Sequence, residues 1–326
     1  MAFRWSASRL LLYLRCPRAY FLKYKKKVSV PIPSYLVFGK AIHKGIKILH
    51  QGNPHQRFEP TEERPLFFKD AQAFGGFWIG LLQREVEKTE KETGIRWKND
   101  EEKDSLKSLG WAMLAGTKDS RWRGYYNTIL KPPFPIKILE WEFRIRTDLF
   151  SRFPVTAVID QIWETPEGTA IVDFTTGRSS NVKFLQMTFY HEVLKEYCRI
   201  PKARKRFGSG PKGYYIWNLR DEKLIPTSPQ NSAKLREMLE FSTTGVHLGE
   251  FHETQQDDVC RYCEYAEICE KTIGKPFSLK RENGEKLQIS LPLREKEVRL
   301  KQLHFKKGME GKGGWRGGTL KKKKTK

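Results

Sequence analysis

Apolar and polar residues alternate along the middle of the chain, as they do in strands that bury one face. The stretch 136–146 (IKILEWEFRIR) alternates apolar and polar residues with one break at Ile138-Leu139, and two more β-rich runs follow at 154–163 and 169–174. Between the last two runs, Pro166-Glu167-Gly168 is a turn signal, so we expect these runs to form adjacent strands. A further strand is predicted at 214–219.

Segments with helical periodicity lie before and after these strands in the sequence. Phe38, Ile42, Ile46 and Leu49 recur at spacings of four, four and three, which predicts one apolar helix face. Other helices are predicted at 183–198 and 231–241, with several more across 66–130.

The first helix is expected to run through the apolar residues 10–14. Ser6 or Ser8 would cap it, and Cys16-Pro17 would end it because proline disfavours helix at the preceding residue. Together the elements predict an α/β core, with a mixed sheet flanked by helices. The predicted organisation is a folded domain over 1–276 with a helical insertion at 66–130, an extension at 277–300 and a basic disordered tail at 301–326.

Positive charge points to a polyanionic partner. Lys and Arg number 61 against 38 Asp and Glu, a net charge of +23 at pH 7. The tail accounts for +9 of this, so the body of the chain keeps +14 and nucleic acid is the favoured partner class. The amino terminus has neither a signal-peptide core nor an apolar stretch that would cross a bilayer, so we expect a cytoplasmic protein without membrane contact.

Two carboxylates stand at the ends of neighbouring predicted strands. Asp160 and Asp173 have twelve residues between them, and a tight turn would bring them together. Two carboxylates with a main-chain carbonyl, here that of Phe174, suit Mg²⁺ or Mn²⁺, which can activate water and offset charge on a phosphate. The alternative is that both are ordinary strand-end aspartates.

The order of motifs around this pair resembles a known family. Asp160, a dozen residues and then Asp173-Phe174-Thr175-Thr176-Gly177 is similar to the active-site pattern of RecB-like PD-(D/E)XK nucleases. Three further matches appear in the order typical of that family. They are Ser8 with Tyr13, Cys16-Pro17 and Tyr20; Gly39-Lys40-Ala41-Ile42-His43; and Gln186-Met187-Thr188-Phe189-Tyr190. The resemblance implies a restriction-endonuclease-like fold in which His43, Asp160 and Asp173 bind metal while Gln186 and Tyr190 contact DNA.

The chain departs from the family pattern at Thr175, where the family has a lysine. That lysine orients water and stabilises transition-state charge, and losing such a group costs about 10² to 10³ in rate. Lys183 or Arg178 are candidates to supply the charge instead.

Four of the five cysteines fit a metal-binding pattern. Cys260, Cys263 and Cys269 are spaced as C-x₂-C-x₅-C near the end of the predicted folded part, and Cys16 would be the fourth ligand. Four thiolates suit either zinc or a [4Fe–4S] cluster. The spacing is similar to that of the CRISPR-associated adaptation nucleases and the AddB-type helicase–nuclease subunits, which implies the iron–sulfur cluster. Cys198 fits no such pattern and is expected to pack in the core.

These features favour a metal-dependent deoxyribonuclease acting on single strands or free ends. The resemblance implies possible helicase, recombination or CRISPR-adaptation partners. The alternative is a catalytically impaired DNA-binding scaffold with an iron–sulfur cluster, which Thr175 favours and the retained metal ligands oppose. A zinc-dependent regulator is a third interpretation, but no segment resembles a base-reading helix.

Overall fold

The structure is a computed structural model that describes residues 3–51, 67–118, 121–132, 134–177, 182–254, 259–260, 263–269, 279–280 and 286–287. The chain divides into two compact units, Met1–Ile273 and Gly274–Lys326. In the second unit, strands Leu279–Lys280 and Lys286–Leu287 pair antiparallel. The basic tail predicted at 301–326 lies outside the described residues.

The α-helices of the first unit are α1 (Ala7–Arg15), α2 (Pro17–Tyr20), α3 (Ser34–Gln51), α4 (Ala71–Glu92), α5 (Glu102–Ala115), α6 (Gly124–Leu130), α7 (Val182–Tyr197), α8 (Pro201–Phe207) and α9 (Ser232–Leu248). A π-helical turn, Phe21–Lys25, follows α2, and a 3₁₀ turn covers Ala266–Ile268. The strands are β1 (Ile32–Pro33), β2 (Ile95–Arg96), β3 (Lys137–Leu149), β4 (Phe153–Thr165), β5 (Gly168–Thr175), β6 (Gly213–Asn218) and β7 (Lys223–Pro226).

A five-stranded mixed sheet in the order β3-β4-β5-β6-β7 forms the centre of the first unit. The β3–β4, β4–β5 and β6–β7 pairs are antiparallel, and β5 pairs with β6 in parallel. The parallel pair requires a crossover, which α7 and α8 provide. A mixed sheet flanked by helices confirms the predicted restriction-endonuclease-like fold class.

Helices cover both faces of the sheet. The helices α3 to α6 pack on one face, where Trp163, Val172 and Phe174 of the sheet contribute to their core. The helix α7 packs against β3, β4 and β5, and also contacts α1 and α9. The strand β5 is therefore buried on both faces, which explains its continuous apolar run.

The long strand β3 changes the side toward which its apolar residues point. Trp141 stacks on His50 of α3 at 3.9 Å between ring centroids, whereas Phe143 packs on Tyr197 of α7 and Phe207 of α8. Alternate residues of a regular strand would share a face. Between the two aromatic residues, Glu142 has φ +39°, and this left-handed backbone lets β3 serve both layers.

Local sequence signals account for several of these elements. Ser6 caps α1 by accepting a hydrogen bond from Arg9 N at 3.3 Å, as predicted. The four apolar residues of the predicted stripe on α3, Phe38 to Leu49, are all buried.

The elements that were not predicted include α8 and β7. The helix α8 contains KARKR, which is easily taken for a solvated basic run, but Pro201 at its first turn starts the helix. The edge strand β7 has only four residues, with Pro226 at its end, too few to give a period-two signal. Among the described residues, no helix is long and apolar enough to cross a membrane.

Candidate active site and cysteine cavity

Asp160 and Asp173 lie just beyond the end of the β4–β5 ladder. The last pair in that ladder is Gln161↔Val172, and each strand carries its aspartate at the next position. Beyond this point the strands separate, and Asp160 Oδ2 accepts a hydrogen bond from the backbone N–H of Phe174 at 2.8 Å. This N–H of β5 points away from β6 and toward β4, where the Asp160 carboxylate takes the place of a β4 backbone acceptor. The structure brings together the two acids that the turn signal suggested.

His43 reaches this pair from α3. Its Nδ1 atom is 3.4 Å from Asp160 Oδ1, and its ring packs edge-on against Phe174, with 6.0 Å between centroids. The apolar stripe of α3 faces the core, and this orientation turns His43 toward the sheet while its side chain stays 30% exposed. An imidazole at this position could coordinate a cation held by Asp160.

The helix α7 supplies the other wall of the site. Gln186 Nε2 donates to Asp173 Oδ1 at 2.8 Å and to the hydroxyl of Tyr190, one turn further along, at 2.9 Å. Burial raises the pKa of Tyr190 far above its usual value, and the negative charges of Asp173 and Asp160 raise it further. Tyr190 is therefore a neutral hydrogen-bonding group at every physiological pH.

Thr175 lies two residues after Asp173, so its side chain shares a face of β5 with that carboxylate. It is 8% exposed and pairs with Asn218 in the parallel ladder. A threonine can donate a hydrogen bond here but provides no positive charge. Of the two cations considered as replacements, Arg178 and the side chain of Lys183 lie outside the described residues.

The donor set fits a hard divalent cation. Two carboxylates offer oxygen ligands, and the imidazole of His43 beside Asp160 offers a nitrogen ligand. In the described part of the chain, however, no three His, Cys, Asp or Glu side chains are grouped closely enough to form a ready metal site. His43 contacts Asp160, Gln186 contacts Asp173, and the peptide N–H of Phe174 links the two strands.

An ion pair next to the site was not anticipated from the sequence. Lys47, one turn after His43, binds Glu142 Oε2 at 2.5 Å. On β3, Glu142 lies between Trp141 and Phe143. These two residues pair with Gln161 and Ile159, the neighbours of Asp160 on β4, so Glu142 lies opposite Asp160. The pair therefore ties α3 to β3 beside the carboxylates. The four-residue spacing from His43 was the only available signal for Lys47, and the sequence offered none for Glu142.

All four predicted cysteine ligands line one small cavity. Cys16, Cys260, Cys263 and Cys269 face a space of about 20 Å³ near the amino and carboxyl ends of the first unit. Burial raises the pKa of the Cys263 thiol, and the neighbouring Cys16 and Cys269 raise it further. Sulfur donors of this kind bind zinc or an iron–sulfur cluster in proteins, but the four described cysteines are not grouped closely enough to form a ready metal site. The fifth cysteine, Cys198, is buried just after α7, as predicted.

The cysteine-bearing segment is also held by direct contacts. Arg18 N donates to His252 O at 3.0 Å, and the Arg18 side chain pairs with Glu253 at 3.1 Å. Lys23 of the π-helical turn pairs with Glu264 at 2.7 Å. These contacts fasten the carboxyl-terminal segment to α2 and the turn that follows it. The charge of Lys23 therefore helps to hold the fold together.

Comparison with known proteins defines the family. The model of the PD-(D/E)XK nuclease superfamily matches residues 4–270, so the chain belongs to that superfamily. Its members are generally nucleases, hydrolases that use divalent metals such as Mg²⁺ or Mn²⁺. No curated protein matches the chain. Solved structures that match include the crystal structure of SSO0001, at 12% identity and a TM-score of 0.27, with 73% of this chain and 96% of that chain covered.

Proposed function

We propose that this protein is a metal-dependent deoxyribonuclease of the RecB-like type that cleaves phosphodiester bonds in single strands or at free ends. The observation that carries the proposal is the meeting of Asp160 and Asp173 where the β4–β5 ladder ends, with His43 on one side and Gln186 on the other. Membership of the PD-(D/E)XK superfamily supports the same chemistry.

In this proposal Asp160, Asp173, His43 and the carbonyl of Phe174 hold Mg²⁺ or Mn²⁺. The ion would lower the pKa of a bound water and offset the charge of the phosphate under attack. Gln186 orients Asp173 by its hydrogen bond, and the neutral hydroxyl of Tyr190 fixes Gln186 in turn. These two residues lie where α7 could also contact the DNA strand.

Thr175 supports a second candidate function. A site that keeps its acids but has lost the family's lysine would bind metal and DNA and cut slowly or not at all. Such a protein would be a DNA-binding scaffold in a recombination, repair or CRISPR-like complex. The contacts of His43 with Asp160 and of Gln186 with Asp173 favour the active enzyme over this alternative.

We further propose that Cys16, Cys260, Cys263 and Cys269 bind a [4Fe–4S] cluster, with zinc as the alternative. The shared cavity and the thiolate donor set support this assignment. Iron and sulfide analysis of anaerobically purified protein, together with its visible absorption, distinguishes the two. About four iron and four sulfide per chain supports the cluster, and stoichiometric zinc without sulfide supports the alternative.

The decisive experiment measures cleavage of end-labelled single-stranded DNA with Mn²⁺, using wild-type protein and the Asp173→Ala variant in parallel. We expect degradation by the wild type and a loss of at least about 10³-fold in the variant, because a single carboxylate cannot hold the ion in place. A Thr244→Ala variant, changed at an exposed position of α9, serves as the control that keeps its rate.

Absence of cleavage by wild-type protein that is loaded with metal and binds DNA tightly would refute the nuclease proposal and support the scaffold. Equal cleavage by the wild type and Asp173→Ala would instead point to a contaminating nuclease.

A further inference from the structure

The solvent-facing side of α3 carries an unusual set of side chains that leads toward His43. Tyr35 and Leu36 in its first turn are 58% and 46% exposed although both are large and apolar in character. Lys40 and Lys44 follow Leu36 at four-residue spacings, with side chains about half exposed, and the row that they form lies beside the row of Tyr35, Gly39 and His43. We call Tyr35, Leu36, Lys40 and Lys44 the α3 track. Most other residues of α3 are buried in the core, so within the described part of the chain the track lies where this helix can still bind a partner.

The two lysines of the α3 track are held in place by a buried acid. Lys44 Nζ donates to Glu85 Oε1 at 2.7 Å, and Lys40 Nζ forms an ion pair with Oε2 at 2.8 Å. Burial acts to raise the pKa of Glu85, but the hydrogen bonds and charges of the two lysines outweigh burial and lower it. Two ammonium groups on one carboxylate leave a net positive charge at the surface. Because both side chains are already ordered, binding an anion there costs less conformational entropy.

The α3 track continues into the candidate active site. Gly39 lies between Tyr35 and His43, and Thr176, just after β5, lies beside it: the Thr176 Oγ1 atom is 3.5 Å from the position of a Cβ on Gly39, an ordinary contact distance. Tyr35 and His43 are eight residues apart, which corresponds to about 12 Å along the helix. At about 3.4 Å per stacked nucleotide, this distance spans three to four nucleotides of one strand.

We propose that the α3 track binds the unpaired end of a DNA strand and directs it to the carboxylates. A base stacks on the ring of Tyr35, beside Leu36, and phosphates contact Lys40 and Lys44. The occupant must be unpaired at this point, because a base inside a duplex has no free face to offer Tyr35. This proposal rests on the proposed function, which makes the carboxylates the site where the bound strand is cut. Binding at the α3 track would explain why that function prefers single strands.

Binding measured without catalysis tests the proposal. Fluorescence anisotropy in EDTA compares a labelled oligothymidine with a blunt duplex, for wild-type protein and the variants Tyr35→Ala and Tyr35→Phe. Stacking on an aromatic ring accounts for about 1–3 kcal/mol per base, so Tyr35→Ala should weaken single-strand binding about 5- to 150-fold. Tyr35→Phe should keep it, and duplex binding should change little in either variant. Leu130→Ala, at another exposed apolar residue, is the matched control.

The lysines are tested through the salt dependence of the same binding. The triple variant Lys40→Gln, Lys44→Gln and Glu85→Gln avoids an unpaired buried carboxylate. It should reduce the slope of log affinity against log salt by about 1.4, since each single-strand phosphate contact contributes about 0.7. Lys137→Gln, which also lowers the net charge by one, lies on β3 at an exposed ion pair and should leave the slope unchanged.

Unchanged single-strand affinity in Tyr35→Ala, or an equal loss for duplex and single strand, overturns the proposal. The first result is also what a protein-binding role of this face would give. If Tyr35→Ala selectively loses single-strand binding while wild-type protein fails to cleave, the α3 track stands and only the nuclease function is refuted.

Discussion

The candidate active site and the cysteine cavity draw their residues from the chain in different ways. Asp160 and Asp173 come from two strands joined by a tight turn, and helices on both faces of the sheet add His43 and Gln186. The cysteine cavity joins Cys16 to a short irregular segment, and 243 residues separate it from Cys260. The first centre is supported by regular hydrogen-bond ladders. The second depends on long-range contacts that link the two ends of the first unit.

This difference predicts which centre serves stability and which serves chemistry. Closing a loop of more than two hundred residues removes much conformational entropy from the unfolded chain. Buried carboxylates, in contrast, repel each other and lower stability unless a cation or hydrogen bonds offset their charge. We therefore expect substitutions at the cysteine cavity to lower stability, and substitutions at the carboxylates to change rate with little loss of stability.

The largest expected effect is on stability, from Cys263→Ser. Loss of one thiolate should release the closing segment and reduce the free energy of unfolding by about 4–5 kcal/mol, the size of a cross-link over a long loop. For a domain of this length, this corresponds to a fall in Tm of about 10 °C or more. Thermal unfolding of anaerobically purified protein measures it.

The control for this prediction is Cys198→Ala, which removes a buried thiol outside the cavity and should cost only about 1 kcal/mol. If Cys263→Ser keeps the wild-type Tm, the cavity has no role in stability and the contrast between the two centres fails.

The second prediction concerns rate and the missing charge. Restoring a cation with Thr175→Lys, on the same face of β5 as Asp173, should raise the cleavage rate by about 10² to 10³, because a preorganised charge stabilises the transition state by about 3–4 kcal/mol. Initial rates on labelled single strands measure it. The methionine of Thr175→Met has nearly the length of lysine but no charge, so this variant should show no increase in cleavage rate.

A rate for Thr175→Lys at or below that of the wild type would show that another cation already supplies the charge. A gain in both variants would show that shape, and not charge, limits the site.

The smallest predicted effect tests the helix that supports the active site. His50, two turns after His43 on α3, is stacked on Trp141, and its Nε2 is 3.0 Å from the hydroxyl of Tyr125. Burial lowers the pKa of His50 to about 3. Below pH 6.5 the unfolded chain binds a proton that the folded protein does not, so stability is lost as the pH falls toward 3, by about 1.4 kcal/mol per unit.

Between pH 7 and pH 5 this amounts to about 2 kcal/mol that a His50→Phe variant should not lose. Urea unfolding of both proteins at the two pH values measures the difference. Parallel losses in the wild type and the variant would show that His50 takes up a proton in the folded state, and that α3 is less rigid than its packing indicates.

The sequence determined those parts of this protein that depend on neighbouring residues. The alternating runs and Pro166-Glu167-Gly168 specified adjacent strands, and adjacency alone brings Asp160 and Asp173 together. The periodicity of α3 buried Phe38 to Leu49 and thereby turned His43 toward the sheet. The spacing of Gln186 and Tyr190 put both on one helix face. In each case a period or a turn fixes the geometry, because backbone hydrogen bonding allows few alternatives.

Only the tertiary structure decided how distant segments meet. The positive φ of Glu142, its ion pair with Lys47 and the change of side along β3 follow from packing two layers of helices on one sheet. The clamp of Glu85 on Lys40 and Lys44 joins α4 to α3 across a span that carries no shared pattern. The same holds for the approach of Cys16 to Cys263, since spacing singles out these cysteines but contacts across the whole domain bring them to one cavity. Such pairings depend on the burial and charge of many residues that are distant in the sequence. A local sequence pattern therefore cannot predict them.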